Sequence, residues 1–197
     1  MPDDDDPTAR RRFDRDLVVS FAAVAISLCA LGASLVQTMV MRAQQHASVW
    51  PRLTVSLDGD SAHFTLSVRN AGVGPAQVVW AQASFDGRPV DGWPALLDHA
   101  LDAAPGLPAG EEMRADLSMG SVSGNVLVPG EASRVFAVEG RAARPLLAVA
   151  ARIGLRACYC SVYDRCWRLD EPRVGARVGA ARVTPVAGCD PPPDPRV

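Results

Sequence analysis

Hydrophobic and polar positions follow two regimes along the chain. From Leu17 to Met41 it reads LVVSFAAVAISLCALGASLVQTMVM, without one charged residue. An α-helix rises about 1.5 Å per residue, so about 20 apolar residues cross a hydrocarbon core about 30 Å thick. Residues 17–41 therefore predict one transmembrane helix, and no other stretch approaches that length. RAQQHASV, Arg42 to Val49, contains no strong breaker and predicts a helical stalk over residues 42–50, ended by Pro51.

Beyond Pro51 the period changes to two. Leu53, Val55 and Leu57 share one face of RLTVSL, and Phe64, Leu66 and Val68 share one face of HFTLSVRN. DGDS between them is a hairpin turn signal. NAGVGPA, Asn70 to Ala76, reads as a loop of residues that tolerate positive φ. QVVWAQASF predicts a strand with Val79, Ala81, Ala83 and Phe85 inward, turned by Asp86-Gly87 into RPV. GWPALLDHALDAA then shifts to helical spacing, with Leu96, Leu97, Ala100 and Leu101 on one face. PGLPAGEEMRADLSMGSVSG predicts a long irregular loop. NVLVPGEASRVFAVEG gives two strands about a PGE turn, and LLAVAARIGLRACYCSVYDRCWRLD a closing hairpin.

Several short strands with regular turn signals predict a mainly β fold. The expected class is an immunoglobulin-like antiparallel β-sandwich with a short helical insert, preceded by the transmembrane helix. The expected organisation is a cytoplasmic acidic and Arg-rich tail over 1–16, the span, the stalk, the sandwich over 51–170, and a loose Pro/Arg-rich tail over 171–197.

Charge sets the expected orientation. Arg10, Arg11, Arg12 and Arg15 precede the span while only Arg42 and Arg52 follow closely, which places the N-terminus in the cytoplasm and the domain outside. A cleaved signal peptide is the competing reading, with GAS at Gly32 to Ser34 as the site. Apolar character continuing through Val40 and Met41 favours an anchor. Ala23, Ser27, Ala30 and Ser34 fall on one helix face, a small-residue stripe suited to close helix packing. The net charge is −2 and the basic residues, all Arg, are scattered, so no basic field points to nucleic acid.

Catalytic chemistry finds little support. His46, His63 and His99 lack metal spacing. Ser123 in GSVSG does not occupy the middle of a nucleophile elbow, since Val122 stands there. Asp98, His99 and Asp102 read as solvated positions of the helical insert. No phosphate loop or dinucleotide fingerprint is present, so neither a cofactor nor enzymatic activity is expected.

The cysteines carry the strongest signal. In ARIGLRACYCS the inward set is Ile153, Leu155, Ala157 and Tyr159, which puts Cys158 and Cys160 on the other face, about 6.5–7 Å apart. That separation disfavours a bond between them. Cys160 and Cys166 bracket a five-residue loop and lie opposite one another in a hairpin, leaving Cys158 for Cys189. Two structural disulfides are the favoured reading. One disulfide with a free or intermolecular pair, a four-thiolate zinc site and a thiol-exchange pair remain alternatives. Tyr163, Arg165 and Trp167 around this hairpin are residue types enriched at binding hot spots.

The ordered motifs Asn70-x-Gly72-x-Gly74-Pro75-Ala76, Asp86-Gly87-x-Pro89-Val90 with Trp93, Asn125 to Glu131, and YCSVYDRCW (Tyr159 to Trp167) together resemble a group of uncharacterised bacterial proteins. Those have one N-terminal membrane helix and a small exported domain. Cys158, Cys189 and the Pro-rich tail are additions to the shared pattern. The resemblance implies an anchored, exported domain and no particular activity. The expected protein is thus a single-span component of the bacterial inner membrane with a periplasmic binding or assembly module. Its expected partners are the lipid bilayer through residues 17–41 and an envelope protein or a second copy. A cysteine-based metal-handling or redox protein is the alternative.

Overall fold

The computed structural model describes residues 7–103, 117–175 and 181–192, and the chain divides into two compact units, Met1–Ala47 and Ser48–Val197. The beginning of the expected N-terminal tail, the segment 104–116 of the expected loop and the tail residues 176–180 and 193–197 lie outside the described residues.

Helix α1 runs without a break over Pro7–Ser48, so the expected span and stalk are one element. It begins well before residue 17, which replaces a tail with helix from Pro7 onward. It is long and apolar enough to cross a membrane, and none of that apolar stretch is buried. Four of its hydroxyls bond within the helix. Ser20, Ser27, Ser34 and Thr38 each donate to the carbonyl four residues back, at 2.8, 2.8, 2.9 and 2.8 Å. Such back-bonding lets a polar side chain sit in hydrocarbon without an orphaned donor.

The second unit contains two antiparallel sheets. The four-stranded sheet has the order β1-β2-β7-β5, with β1 Leu53–Gly59, β2 His63–Asn70, β5 Leu117–Met119 and β7 Ala132–Glu139. The six-stranded sheet runs β10-β9-β8-β3-β4, with β6 also paired to β3. Its strands are β3 Ala76–Phe85, β4 Arg88–Pro89, β6 Val126–Leu127, β8 Ile153–Cys160, β9 Cys166–Glu171 and β10 Arg182–Val186. One hydrophobic core draws on both: Leu53, Phe64, Leu66, Val68 and Phe136 from the first, Val78, Leu155, Ala157, Tyr159 and Leu169 from the second. Phe64 and Phe136 meet edge to face at 5.8 Å. Helix α2, Gly92–Ala103, buries Leu96, Leu97 and Ala100 into that core.

Four expectations change. Val79 does not point inward; it is exposed, and Val78 is buried. The register with β8 slips there, from Val78 opposite Tyr159 to Trp80 opposite Cys158. This β-bulge inserts one residue and exchanges the faces, so Ala76 and Val78 face the core before it and Ala83 and Phe85 after it. Residues 146–152 are not strand: helix α3, Ala143–Val149, and a 3₁₀ turn, Ala150–Arg152, lead into β8. Its apolar run buries Ala143, Leu146 and Val149, a helical spacing that a continuous apolar stretch conceals. The expected irregular loop contributes β5, paired to β7. The C-terminal region is not wholly loose, because β10 pairs with β9 from Arg182 opposite Asp170 to Val186 opposite Cys166. Pro185 is tolerated there because β10 is an edge strand.

The two motifs around Asn70 and Pro129 meet in space. Asn70 is fully buried; its amide donates to the carbonyls of Gly74 (2.8 Å) and Leu127 (2.9 Å), and its Oδ1 accepts from the N–H groups of Arg52 (3.2 Å) and Gly72 (3.0 Å). Its backbone pairs with Glu131 and Gly130. The glycines are required by close approach, since a Cβ on Gly74 would overlap the Val49 carbonyl and one on Gly72 that of Trp50. Three segments are laced by one side chain.

Candidate functional site

The β8–β9 hairpin positions the cysteines. Its register sets Cys160 opposite Cys166 and Tyr159 opposite Trp167, while Cys158 faces Arg168. Cys160 and Cys166 are bonded with their Cα atoms 4.0 Å apart, and Cys158 is bonded to Cys189 at 5.6 Å. The chain beyond β10 crosses the outer face of the six-stranded sheet, where Trp80 Nε1 also donates to the Asp190 carbonyl at 2.6 Å. This strap buries Cys158 completely. The two disulfides touch: Cys160 Sγ lies 3.7 Å from Cys189 Sγ, and the sulfurs of Cys160, Cys166 and Cys189 fall within 4.8 Å of one another. Metal binding needs thiolates, so this group could take a metal only after reduction. Cys29 is free and exposed within α1.

The hairpin turn is fixed by Ser161, which exchanges backbone bonds with Arg165 (2.8 Å) and Asp164 (3.1 Å), and by a positive φ of 56° at Asp164. Val162, Tyr163 and Arg165 are exposed on it. Trp167 is not at the exposed tip: it is half-buried and stacks on the buried Tyr159 at 5.9 Å. Burial pushes the Tyr159 phenol above its ordinary pKa. In α1, Ser27 and Ser34 of the small-residue stripe bond to the carbonyls of Ala23 and Ala30, so the stripe presents a smooth surface.

A second feature lies at the opposite end of the sheets. The β3–β4 turn, the C-terminal half of α2 and the start of β8 enclose a cleft of about 600 Å³, lined by Phe85, Asp86, Arg88, His99, Asp102 and Arg152 among others. Asp86 and Gly87 turn the chain with positive φ at both residues. Arg152 holds the turn through a two-pronged ion pair, Nε to Asp86 Oδ1 at 2.8 Å and Nη2 to Oδ2 at 2.5 Å. Its guanidinium lies 4.6 Å from the centre of the Phe85 ring, whose other neighbour is His99, stacked at 6.2 Å. The Arg152 hydrogen bonds hold the Asp86 carboxyl below the usual carboxylate range, while Asp86 raises Arg152. Arg88 and Asp102 add one charge of each sign.

Of the polar residues singled out on the helical insert, His99 and Asp102 line this cleft and Asp98 does not. His63 sits at the β1–β2 turn, 3.1 Å from the Asp60 carboxylate. His46 lies on α1. Ser123 is structural, its Oγ accepting from the Ala81 N–H at 2.9 Å just past the bulge. Sequence reasoning missed the cleft roles of Arg88 and Arg152 and placed Phe85 only on the inward face; Arg152 stands 66 residues from its partner.

No family model, no curated protein and no solved structure matches this chain.

Proposed function

We propose that the chain is a single-span protein of the bacterial inner membrane whose immunoglobulin-like β-sandwich acts in the periplasm as a binding or assembly module for an envelope protein. Arginines crowding the N-terminal side of the span support a cytoplasmic N-terminus. Two bonded cysteine pairs suit an oxidising compartment. Two antiparallel sheets around one core, with the chain crossing between them after β6, support the sandwich class.

The observation that carries the binding role is the cleft, a concave site with convergent polar groups held by the Asp86–Arg152 pair. Photo-cross-linking from position 88 of the full chain in its native membrane tests it. One discrete protein adduct is expected, absent from a probe at Ser56 and abolished by Arg152→Ala. Capture of no protein from the cleft overturns the role.

The contact between the two disulfides favours a second reading, a cysteine-based redox or metal-handling protein. Alkylation and mass spectrometry of the chain as isolated decide between them. Free thiols with bound zinc or copper, or bridges that exchange with added glutathione, support the second reading; two bridges that neither reduce nor exchange sink it.

A further inference from the structure

The exposed large apolar side chains of the second unit are unevenly placed. Among the described residues, Val79 on β3 and Met119 on β5 stand apart, whereas Trp50, Val73, Val126, Val128, Val162 and Tyr163, each between 43% and 64% exposed, fall together. They lie on four segments joined at one end of the two sheets. Val73 N–H donates to the Trp50 carbonyl at 3.0 Å, and the Asn70 amide ties Gly74 to Leu127. Leu127 and Val126 pair with Ala76 and Gln77 at the start of β3, and Gln77 also pairs with Cys160, where the β8–β9 turn begins. All four segments therefore flank the point where the chain enters the domain. The other end of the sheets carries Asp58, Asp60, Asp86, Arg88 and Arg152, all exposed. Exposed hydrophobic surface gathers at the entry end, where Arg52, Glu131, Asp164 and Arg165 are also exposed.

We infer that this apolar end is a lipid-contact surface that rests in the headgroup region of the bilayer holding α1. The inference relies on the proposal that α1 is retained as an anchor. The covalent chain chooses the occupant. Only residues 42–48 separate the last apolar residue of the span, Met41, from the domain, about 10 Å of helical rise. A surface on so short a tether meets its own membrane at an effective concentration that a soluble partner does not match. The residue types agree. Trp and Tyr favour the membrane interface, and the exposed Arg52 and Arg165 at this end suit lipid phosphates. Of the acidic groups nearby, Glu131 accepts the Val128 N–H at 2.9 Å, and Asp164 adjoins Arg165. A patch of this kind is more than the scattered apolar exposure of an ordinary surface. The disulfide between Cys160 and Cys166 then has a use, since it holds the Val162–Tyr163 turn rigid beside the other loops. The charged cleft is left at the end remote from this surface.

The test uses the full chain in vesicles of phosphatidylethanolamine and phosphatidylglycerol. A benzophenone photo-cross-linker is placed in turn at Val73, Val128 and Tyr163, at Leu28 within the span and at Arg88 in the cleft. Lipid adducts are expected at Val73, Val128, Tyr163 and Leu28, with background only at Arg88. The double variant Val73→Asp, Val128→Asp should lose the lipid adduct at Tyr163 and keep that at Leu28. Lipid at Leu28 but protein adducts, a second copy included, or no adducts at the three loop positions overturns the inference alone. Lipid labelling of Arg88 equal to that of the loops also overturns it. Absence of lipid at Leu28 overturns the anchored reading and this one with it.

Discussion

Asn70 joins the segment leaving α1, its own loop and the crossing after β6, with every side-chain hydrogen-bonding group used inside the fold. Removing one partner from a buried network leaves the others unsatisfied, so Asn70→Ala should destabilise the domain by about 3 kcal/mol in urea unfolding of the full chain. Glu171 offers a pH test. It is buried on the core side of β9, and burial raises its carboxyl above the ordinary value of 4.5. The folded chain then binds this proton more tightly than the unfolded chain, so stability from this group falls as pH rises through the folded value. Glu171→Gln should be more stable than the parent at about pH 7 and show a smaller change in unfolding midpoint between about pH 5 and pH 7. Asp60 and Asp86 act with the opposite sign. The backbone N–H of Ala62 first, then that of His63, lowers Asp60, and Arg152 lowers Asp86. Their contributions are present at neutral pH and are lost as acid carries the pH from the ordinary value of 3.8 down through each lowered folded value.

Among the elements, the C-terminal strap and the β8–β9 hairpin are each closed by one disulfide, over sequence separations of 31 and 6 residues. Chain-entropy arguments give about 4 kcal/mol for the longer closure and about 2 kcal/mol for the shorter. The double variant Cys158→Ser, Cys189→Ser should therefore lower the urea midpoint more than Cys160→Ser, Cys166→Ser. It also frees the strap that carries the Asp190 carbonyl to Trp80. The bulge at Val79 is the other element-level device. It turns Trp80 to the outer face, where the strap covers it, while keeping Ala83 and Phe85 in the core.

At the scale of the molecule, the two ends of the domain differ in kind. Apolar loops surround the entry of the chain, and charged turns surround the cleft. The cross-linking experiments described for position 88 and for Val73, Val128 and Tyr163 read these two ends independently.

Periodicity and spacing by themselves determined the long apolar helix, the β1–β2 hairpin, the helical insert, and the strand spacing that puts Cys158 and Cys160 on one face too far apart to bond. Each depends on neighbours close in sequence, where side-chain direction follows from the local period. Tertiary structure decided the rest. It flipped the face of β3 at Val79, made helix of the apolar run before Ile153, and sent β6 and β7 to different sheets. It also drew the Arg-rich C-terminal segment into an edge strand. The cleft was out of reach for the same reason: Asp86 and Arg152 are distant in the chain and adjacent only because β3 pairs with β8. Local pattern can say which way a side chain points along its own strand. Only the pairing of distant strands says what it meets there.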